Sequence, residues 1–128
     1  MLSELSGTQI NKAELARSLD TSEVTIRAYL EIAHYSFVWR NIYSYEKSRS
    51  KSLVKMPKGI YRDSGLNHFI KNIKTETDLE RYPYLGIDFE AFVIEEIIKG
   101  LQAMLLTNWH YSYFRTKNGA KIDLILEG

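Results

Sequence analysis

Few side chains of this 128-residue sequence could carry covalent or metal chemistry. Cysteine is absent, which excludes a disulfide framework, a thiol nucleophile and a thiolate metal site. The three histidines, His34, His68 and His110, lack the spacing of metal ligands, and we interpret them as packing or surface residues. No glycine-rich loop of the P-loop or dinucleotide-binding type occurs. We therefore expect this chain to hold no metal and no cofactor by itself.

Positive charge is concentrated in one part of the chain. The window Arg40–Arg62 holds seven lysines and arginines and one acid, although the whole chain has a formal net charge of only +1. A basic stretch of this kind is what binding to a phosphate backbone requires. Solvated surface loops have the same composition, so charge alone leaves both interpretations open.

Two helical patterns precede the basic stretch. Asn11 is a suitable N-cap for a helix over Lys12–Leu19, and Ser22 for a second helix that runs to about Ala33. The short turn between them has the spacing of a helix-turn-helix. The inner stripe predicted for the second helix is Ile26, Leu30 and Ala33.

A hairpin is predicted after the second helix. Phe37–Tyr45 and Ser52–Tyr61 have strand character, and the polar, basic loop Glu46–Lys51 joins them. In this position the hairpin would be the wing of a winged helix-turn-helix over residues 1–62. The residues predicted to contact nucleic acid are Ser22, Thr25, Arg27, Arg40, Arg49, Lys51 and Lys55.

A role in protein packing is the alternative for this winged helix. Glu23 and Glu31 lie on the second helix and would repel phosphate, and no Lys or Arg occupies its first turn. The sequence therefore leaves open whether the unit binds duplex DNA or a protein.

The second half alternates helices with strands. Its longest element is an amphipathic helix over about Leu85–Leu106, with Phe89, Phe92, Val93 and Ile97 at helical spacing and Glu90, Glu95 and Lys99 on other faces. Asn-Gly is among the strongest signals for a hairpin turn. The other predicted elements are a short helix capped by Asp63 and running to about Lys71, a connecting loop over 72–84, and the strands His110–Thr116 and Ala120–Glu127.

Five segments, in this order and at this spacing, resemble a known family. They are Gly7–Ala16, Thr25–Leu30, Lys58–Leu66, Gly86–Val93 and Tyr113–Glu127. The family is the C-terminal domain of unknown function that follows the ATPase module in many prokaryotic AAA-type ATPases, and the resemblance covers nearly the whole chain. It implies a longer parent protein whose ATPase module, absent here, binds ATP and Mg²⁺.

The resemblance also implies a fold and a function. The expected fold is α+β, with a winged helix-turn-helix (residues 1–62) joined to the N-terminal part of a PD-(D/E)XK nuclease-like core (residues 63–128). The expected function is that of an accessory region that binds nucleic acid or docks a partner, which would be duplex DNA, the protein's own ATPase module or another protein. The alternative is part of a Mg²⁺-dependent nuclease that is inactive in this fragment, so the fragment itself is not expected to be an enzyme.

The nuclease-like core implies two catalytic positions. Glu90 matches the family's helix carboxylate and Asp123 its strand aspartate, which with a Glu-x-Lys on the next strand would bind Mg²⁺ and activate water. That Glu-x-Lys would fall beyond Gly128, and Lys121 stands where the family commonly has an acid, so the site would be incomplete or vestigial. The structural alternatives are a surface or capping role for Glu90 and a strand-end hydrogen bond for Asp123.

The termini and the apolar runs suggest a cytoplasmic protein. The N-terminus lacks the pattern of a signal peptide, and no apolar run is long enough to span a bilayer. The sequence stops directly after a strand pattern, which predicts a piece of a longer protein. In this piece Ala120–Glu127 is expected to be an edge strand. An unpaired edge predicts strand-mediated homodimerisation.

Overall fold

The computed structural model describes residues 1–48, 51 and 55–128. Within these residues the fold is α+β, with six helices and one five-stranded sheet. The helices are α1 (Leu2–Leu5), α2 (Lys12–Ser18), α3 (Glu23–Tyr35), α4 (Ser64–Ile70), α5 (Glu76–Glu80) and α6 (Leu85–Ala103). The strands are β1 (Thr8–Gln9), β2 (Trp39–Ser44), β3 (Lys58–Tyr61), β4 (His110–Arg115) and β5 (Lys121–Glu127).

The sheet joins the two halves of the chain. Its strand order is β1-β3-β2-β4-β5. β2 pairs with β4 in parallel, whereas the other three pairs are antiparallel. The hairpin of the first half and the hairpin of the second half therefore meet at one parallel junction, where Tyr43 lies opposite Ser112.

The predicted starts of three helices are confirmed. Asn11, Ser22 and Asp63 are the N-caps of α2, α3 and α4, and each side chain accepts a hydrogen bond from the backbone N–H three residues further on. These bonds satisfy donors that a helix cannot pair internally, which explains why short polar residues precede each helix.

The prediction of a simple loop over residues 72–84 is wrong. The segment contains α5, whose N-cap Thr75 and third residue Asp78 form a reciprocal capping box. The hydrogen bond with the Thr75 side chain, and then those from the backbone N–H groups of Lys74 and Thr75, lower the pKa of the Asp78 carboxyl. A helix of five residues is too short to show an apolar period, so the caps were its only local signal.

Helices pack on both faces of the sheet. On one face α2 and α3 cover the indole of Trp39, which is fully buried. Ile26 and Leu30, two residues of the predicted inner stripe of α3, are buried in the same cluster. The indole lies directly over Gly59 on the neighbouring strand, where a Cβ atom would come within 2.0 Å of the ring. On the opposite face α6 packs on a second cluster, which consists of Ile42, Ile60, Ala91, Ile94, Ile98 and Tyr113.

The buried face of α6 differs from the stripe that its sequence suggests. Ala91, Ile94 and Ile98 face the sheet together with two acids, Asp88 and Glu95. The four apolar residues Phe89, Phe92, Val93 and Ile97 are instead exposed. α6 is apolar on most of its circumference, so periodicity alone could not select the side that packs on the sheet. No helix in the described part of the chain is long and apolar enough to cross a membrane.

Candidate functional site

Glu90 and Asp123, which are far apart in sequence, lie in one cluster with two lysines. The Nζ of Lys58 on β3 binds Glu90 and lies 3.6 Å from Oδ1 of Asp123. The Nζ of Lys121 on β5 lies 3.2 Å from an oxygen of each carboxylate. We call these four side chains the carboxylate–lysine cluster.

A β-bulge lies where β5 contributes Asp123 to this cluster. Phe114 pairs with Ile122 and Ser112 with Ile125, so two β5 residues, Asp123 and Leu124, occupy the space opposite Tyr113. Bulges change the direction of side chains and are common next to functional sites. The hairpin signal in the sequence placed both strands, but it gave no indication of this extra residue.

Opposite charges balance within the cluster. Burial raises the pKa of Asp123, but a hydrogen bond from Lys121 and the charges of Lys58 and Lys121 outweigh it, so the pKa lies below its ordinary value. Hydrogen bonds to Glu90 and then to Asp123 raise the pKa of Lys121. Lys58 is almost fully buried, with 7% of its side chain exposed. Each carboxylate therefore lies beside the ammonium groups of both lysines.

A groove of about 270 Å³ borders the cluster. Gly7, Gln9 and Arg115 also line it, so strands from both halves of the chain form its walls. Among the described residues no group of three or more His, Cys, Asp and Glu side chains could hold a metal ion. The arrangement holds two carboxylates close together and places two ammonium groups beside a groove that Ile87, Phe114 and Ile122 also line.

Sequence reasoning named Glu90 and Asp123 but missed the two lysines as their partners. Lys58 lies in the segment Lys58–Leu66 that carries the family resemblance, and Lys121 was noted only as a departure from an acid. The contact of Lys58 with α6 depends on the order of strands in the sheet, which no local pattern shows.

Two of the residues predicted to contact nucleic acid, Arg27 and Lys55, line one groove between α3 and the start of β3. Ser22 is occupied as the N-cap of α3, and its Oγ lies 2.9 Å from Oγ1 of Thr25. Arg27 and Lys51 are exposed, and Lys55 forms an ion pair with Glu46. Arg49 lies outside the described residues.

The prediction that Arg40 contacts phosphate is wrong, because this residue is only 3% exposed. Its Nε lies 2.5 Å from Oε2 of Glu95 and its Nη2 lies 2.9 Å from Oε1, and its Nη1 donates to the hydroxyl of Tyr111. Arg62 adds a third hydrogen bond to Glu95, with its Nε 3.0 Å from Oε1. Burial lowers the pKa of Arg40, but the Glu95 contacts outweigh it and the pKa is raised. The guanidinium is thus permanently charged and fully engaged inside the protein.

The outward side of α3 is largely apolar. One side of the helix carries Val24, Ala28, Ile32 and Tyr35, which follow one another at intervals of four, four and three residues. We call these four residues the outer face of α3. Val24 is 75%, Ile32 63% and Tyr35 76% exposed. Arg27 is the one lysine or arginine of α3, and Glu23 and Glu31 flank it.

Comparison with known proteins identifies a family and two relatives. A family model described as a domain of unknown function, DUF8612, matches residues 1–77. The chain is similar to the uncharacterized proteins Mb2031c of Mycobacterium bovis and Rv2008c of Mycobacterium tuberculosis, each 38% identical over 127 residues. The alignment covers 99% of this chain and 28% of each relative, so the chain spans under a third of their length. No solved structure matches. Because the family model covers more than half of the sequence, the chain belongs to the DUF8612 family of domains of unknown function.

Proposed function

We propose that this chain is an accessory region of a longer ATPase of the AAA type, and that it docks a protein partner through the outer face of α3. In this proposal residues 1–62 form a winged helix-turn-helix, and residues 63–128 form the N-terminal part of a nuclease-like core. The outer face of α3 is the observation that carries the proposal.

The order of elements supports the winged helix. The chain runs α1-β1-α2-α3-β2-β3, and the three strands lie in the order β1-β3-β2. α2 and α3 have the spacing of a helix-turn-helix, and the β2–β3 hairpin follows where a wing would be.

The character of α3 favours a protein over duplex DNA as the partner. A recognition helix in the major groove needs hydrogen-bonding side chains for base edges and positive charge for phosphates. The outer face of α3 instead offers Val24, Ile32 and Tyr35, and Glu31 lies beside it, three residues after Ala28 and four before Tyr35. Exposed apolar patches rimmed by polar residues are typical of protein interaction sites.

The parent's own ATPase module is the partner we propose. The relatives are more than three times as long as the aligned region, so most of each polypeptide lies outside it. A domain linked to this chain would be held at high effective concentration, so a modest apolar patch would suffice for docking.

A binding measurement tests the docking proposal. Calorimetry would follow binding between this chain and the separately produced ATPase module, and we expect Ile32→Asp to weaken binding at least about tenfold, because it places a charge in an apolar contact. Leu105→Asp is the matched control, since Leu105 is 82% exposed and lies beyond the end of α6. Equal binding by the two variants would contradict the proposal. Binding to duplex DNA would also contradict the proposal if its affinity falls steeply with salt and is unaffected by Ile32→Asp, because DNA would then be the partner.

A Mg²⁺-dependent nuclease is the second candidate, and the meeting of Glu90 with Asp123 at a bulge favours it. Two carboxylates held this close could share a metal ion if a further ligand came from outside this chain. If the parent cleaves nucleic acid with Mg²⁺, Asp123→Asn should abolish cleavage. Cleavage that survives this change would exclude Asp123 from the mechanism.

A further inference from the structure

Lys121 lies between the two acids of the carboxylate–lysine cluster. Its Nζ is 3.2 Å from Oε2 of Glu90 and 3.2 Å from Oδ1 of Asp123, so a single cation contacts one oxygen of each carboxylate. Glu90 belongs to α6 and Asp123 to β5, and the ammonium group therefore joins the helix to the end of the sheet. A divalent ion that bound both of these oxygens would have to lie between them, where the ammonium lies.

The strand explains why the ammonium group is held at this position. Lys121 and Asp123 are two residues apart on β5, so their side chains point to the same side, and their 3.2 Å contact agrees with this. A group tethered by a short stretch of chain has a local concentration on the order of millimolar or more. A free metal ion would therefore have to compete with a cation that the chain itself supplies.

The other charges around the groove also oppose a divalent ion. Lys58 contacts the same two carboxylates from the interior, since its side chain is 7% exposed, whereas that of Lys121 is 56% exposed. Arg115 lines the same groove. Among the described residues of the groove, three cationic side chains thus surround two carboxylates. A divalent ion would add to this excess of positive charge and would be repelled by it.

The family resemblance implies Mg²⁺ at Glu90 and Asp123, and the residues present do not fit this ion. Mg²⁺ often binds to only one or two carboxylates and keeps several waters, so the number of acids does not exclude it. The neighbouring charges oppose it, because each carboxylate already lies beside two ammonium groups. The disagreement therefore concerns the lysines and not the acids.

We propose that Lys121 takes the place of a divalent cation in this protein, so that its ammonium group holds Glu90 and Asp123 together and excludes Mg²⁺ and similar ions from the cluster. The cluster then joins α6 to β5 by charge and is not a metal centre. This inference does not depend on docking through the outer face of α3. It opposes the second candidate function, since a nuclease that used these two carboxylates with Mg²⁺ would need Lys121 to leave them.

Metal binding by the whole 128-residue chain tests this role of Lys121. Mn²⁺ is titrated as the probe, and its binding is followed by electron paramagnetic resonance and by calorimetry. We expect no saturable binding by the wild type at millimolar Mn²⁺. Lys121→Glu exchanges the ammonium group for a third carboxylate, so we expect one ion to bind at least about tenfold more tightly than to the wild type. Lys121→Met removes the charge alone and should bind with intermediate affinity.

The controls locate the bound ion. Lys117→Glu makes the same change of charge in the turn of the same hairpin, where Lys117 is exposed and lies outside the cluster, and we expect it to behave as the wild type. Asp123→Asn, added to Lys121→Glu, should weaken binding about tenfold, because it removes one of the carboxylates. Circular dichroism checks that each variant is folded.

Three results would overturn the proposal. The first is saturable binding by the wild type that is as tight as binding by Lys121→Glu and is lost in Asp123→Asn, because the ion would then displace Lys121 with ease. The second is the absence of binding by folded Lys121→Glu, and the third is equal binding by Lys117→Glu. The first result needs no variant at Lys121, so it can be obtained even if such a variant does not fold.

Discussion

At the scale of the residue, the best-defined feature is the buried ion-pair network around Glu95. One carboxylate on α6 accepts three hydrogen bonds from Arg40 and Arg62, and the hydroxyl of Tyr111 accepts another from Arg40. Charged groups in a protein interior persist only when they are paired and hydrogen-bonded. Glu95 thus links β2, the end of β3 and α6 through charge rather than through apolar contact.

Removal of Glu95 should destabilise the protein strongly. We expect Glu95→Ala to lower the free energy of unfolding by about 3–5 kcal/mol, because it leaves Arg40 buried without a counterion. Glu96→Ala is the neighbouring control, since Glu96 is exposed and its ion pair with Lys99 contributes at most about 1 kcal/mol. Urea denaturation measures both changes, and similar losses in the two variants would contradict this account.

The carboxylate–lysine cluster should make stability depend on pH at the acid end. The pKa of Asp123 is lower in the folded protein than its ordinary value of 3.8, so the folded state binds fewer protons there. Its contribution is fully present above the ordinary value and is lost as the pH falls through the lower, folded value. We expect wild type to be more stable than Asp123→Asn at neutral pH and the difference to vanish in strong acid. A difference in unfolding free energy that stays constant across this range would refute the cluster's role.

At the scale of the element, β5 forms one end of the sheet. It pairs with β4 on one side, and no other described strand pairs with its second side. Apolar and polar residues alternate little along β5, and its central residues Leu124, Ile125 and Leu126 are partly exposed. A strand with these properties is a template for pairing with another chain.

We predict that β5 mediates dimer formation in this chain. Light scattering at increasing protein concentration should show a dimer, and Ile122→Lys should shift the population towards the monomer because charge on an edge opposes strand pairing. Val24→Lys on α3 is the control for an equal change in charge at another exposed apolar residue. A wild-type monomer at all concentrations would show that the edge is not used in this way.

At the scale of the whole molecule, the two predicted units share one sheet and the apolar cluster under α6. Ile42 and Ile60 from residues 1–62 pack with Ala91, Ile94 and Ile98 from α6. The carboxylate–lysine cluster and the Glu95 network join the same two halves through charge. Neither half buries these groups by itself, so each half depends on the other for part of its stability.

This dependence predicts a single cooperative unfolding transition. Thermal unfolding followed by far-ultraviolet circular dichroism and by tryptophan fluorescence should give the same midpoint, because Trp39 and α6 lose their packing together. Residues 1–62 produced alone should be much less stable, since Arg40, Ile42 and Ile60 would lose their partners on α6. Two separated transitions would indicate two independent domains.

Local chemistry determined the elements of this protein, and the sequence therefore predicted most of them. Caps at Asn11, Ser22 and Asp63 and the Asn-Gly turn act over three or four residues, so they can be read without knowledge of the fold. The short helix α5 was missed because it has too few residues to show a period. The meeting of Glu90 with Asp123 followed from a family resemblance and not from any local pattern.

The tertiary structure decided which side of each element is buried and which charges meet. The register of β2 with β3 and β4 brings Arg40 to Glu95, and the strand order brings Lys58 to Glu90. Both contacts join residues more than thirty positions apart, so their energies depend on the packing of the whole sheet. The same packing leaves the outer face of α3 exposed. A sequence specifies such surfaces only through the complete fold, because exposure is defined by what the other elements fail to cover.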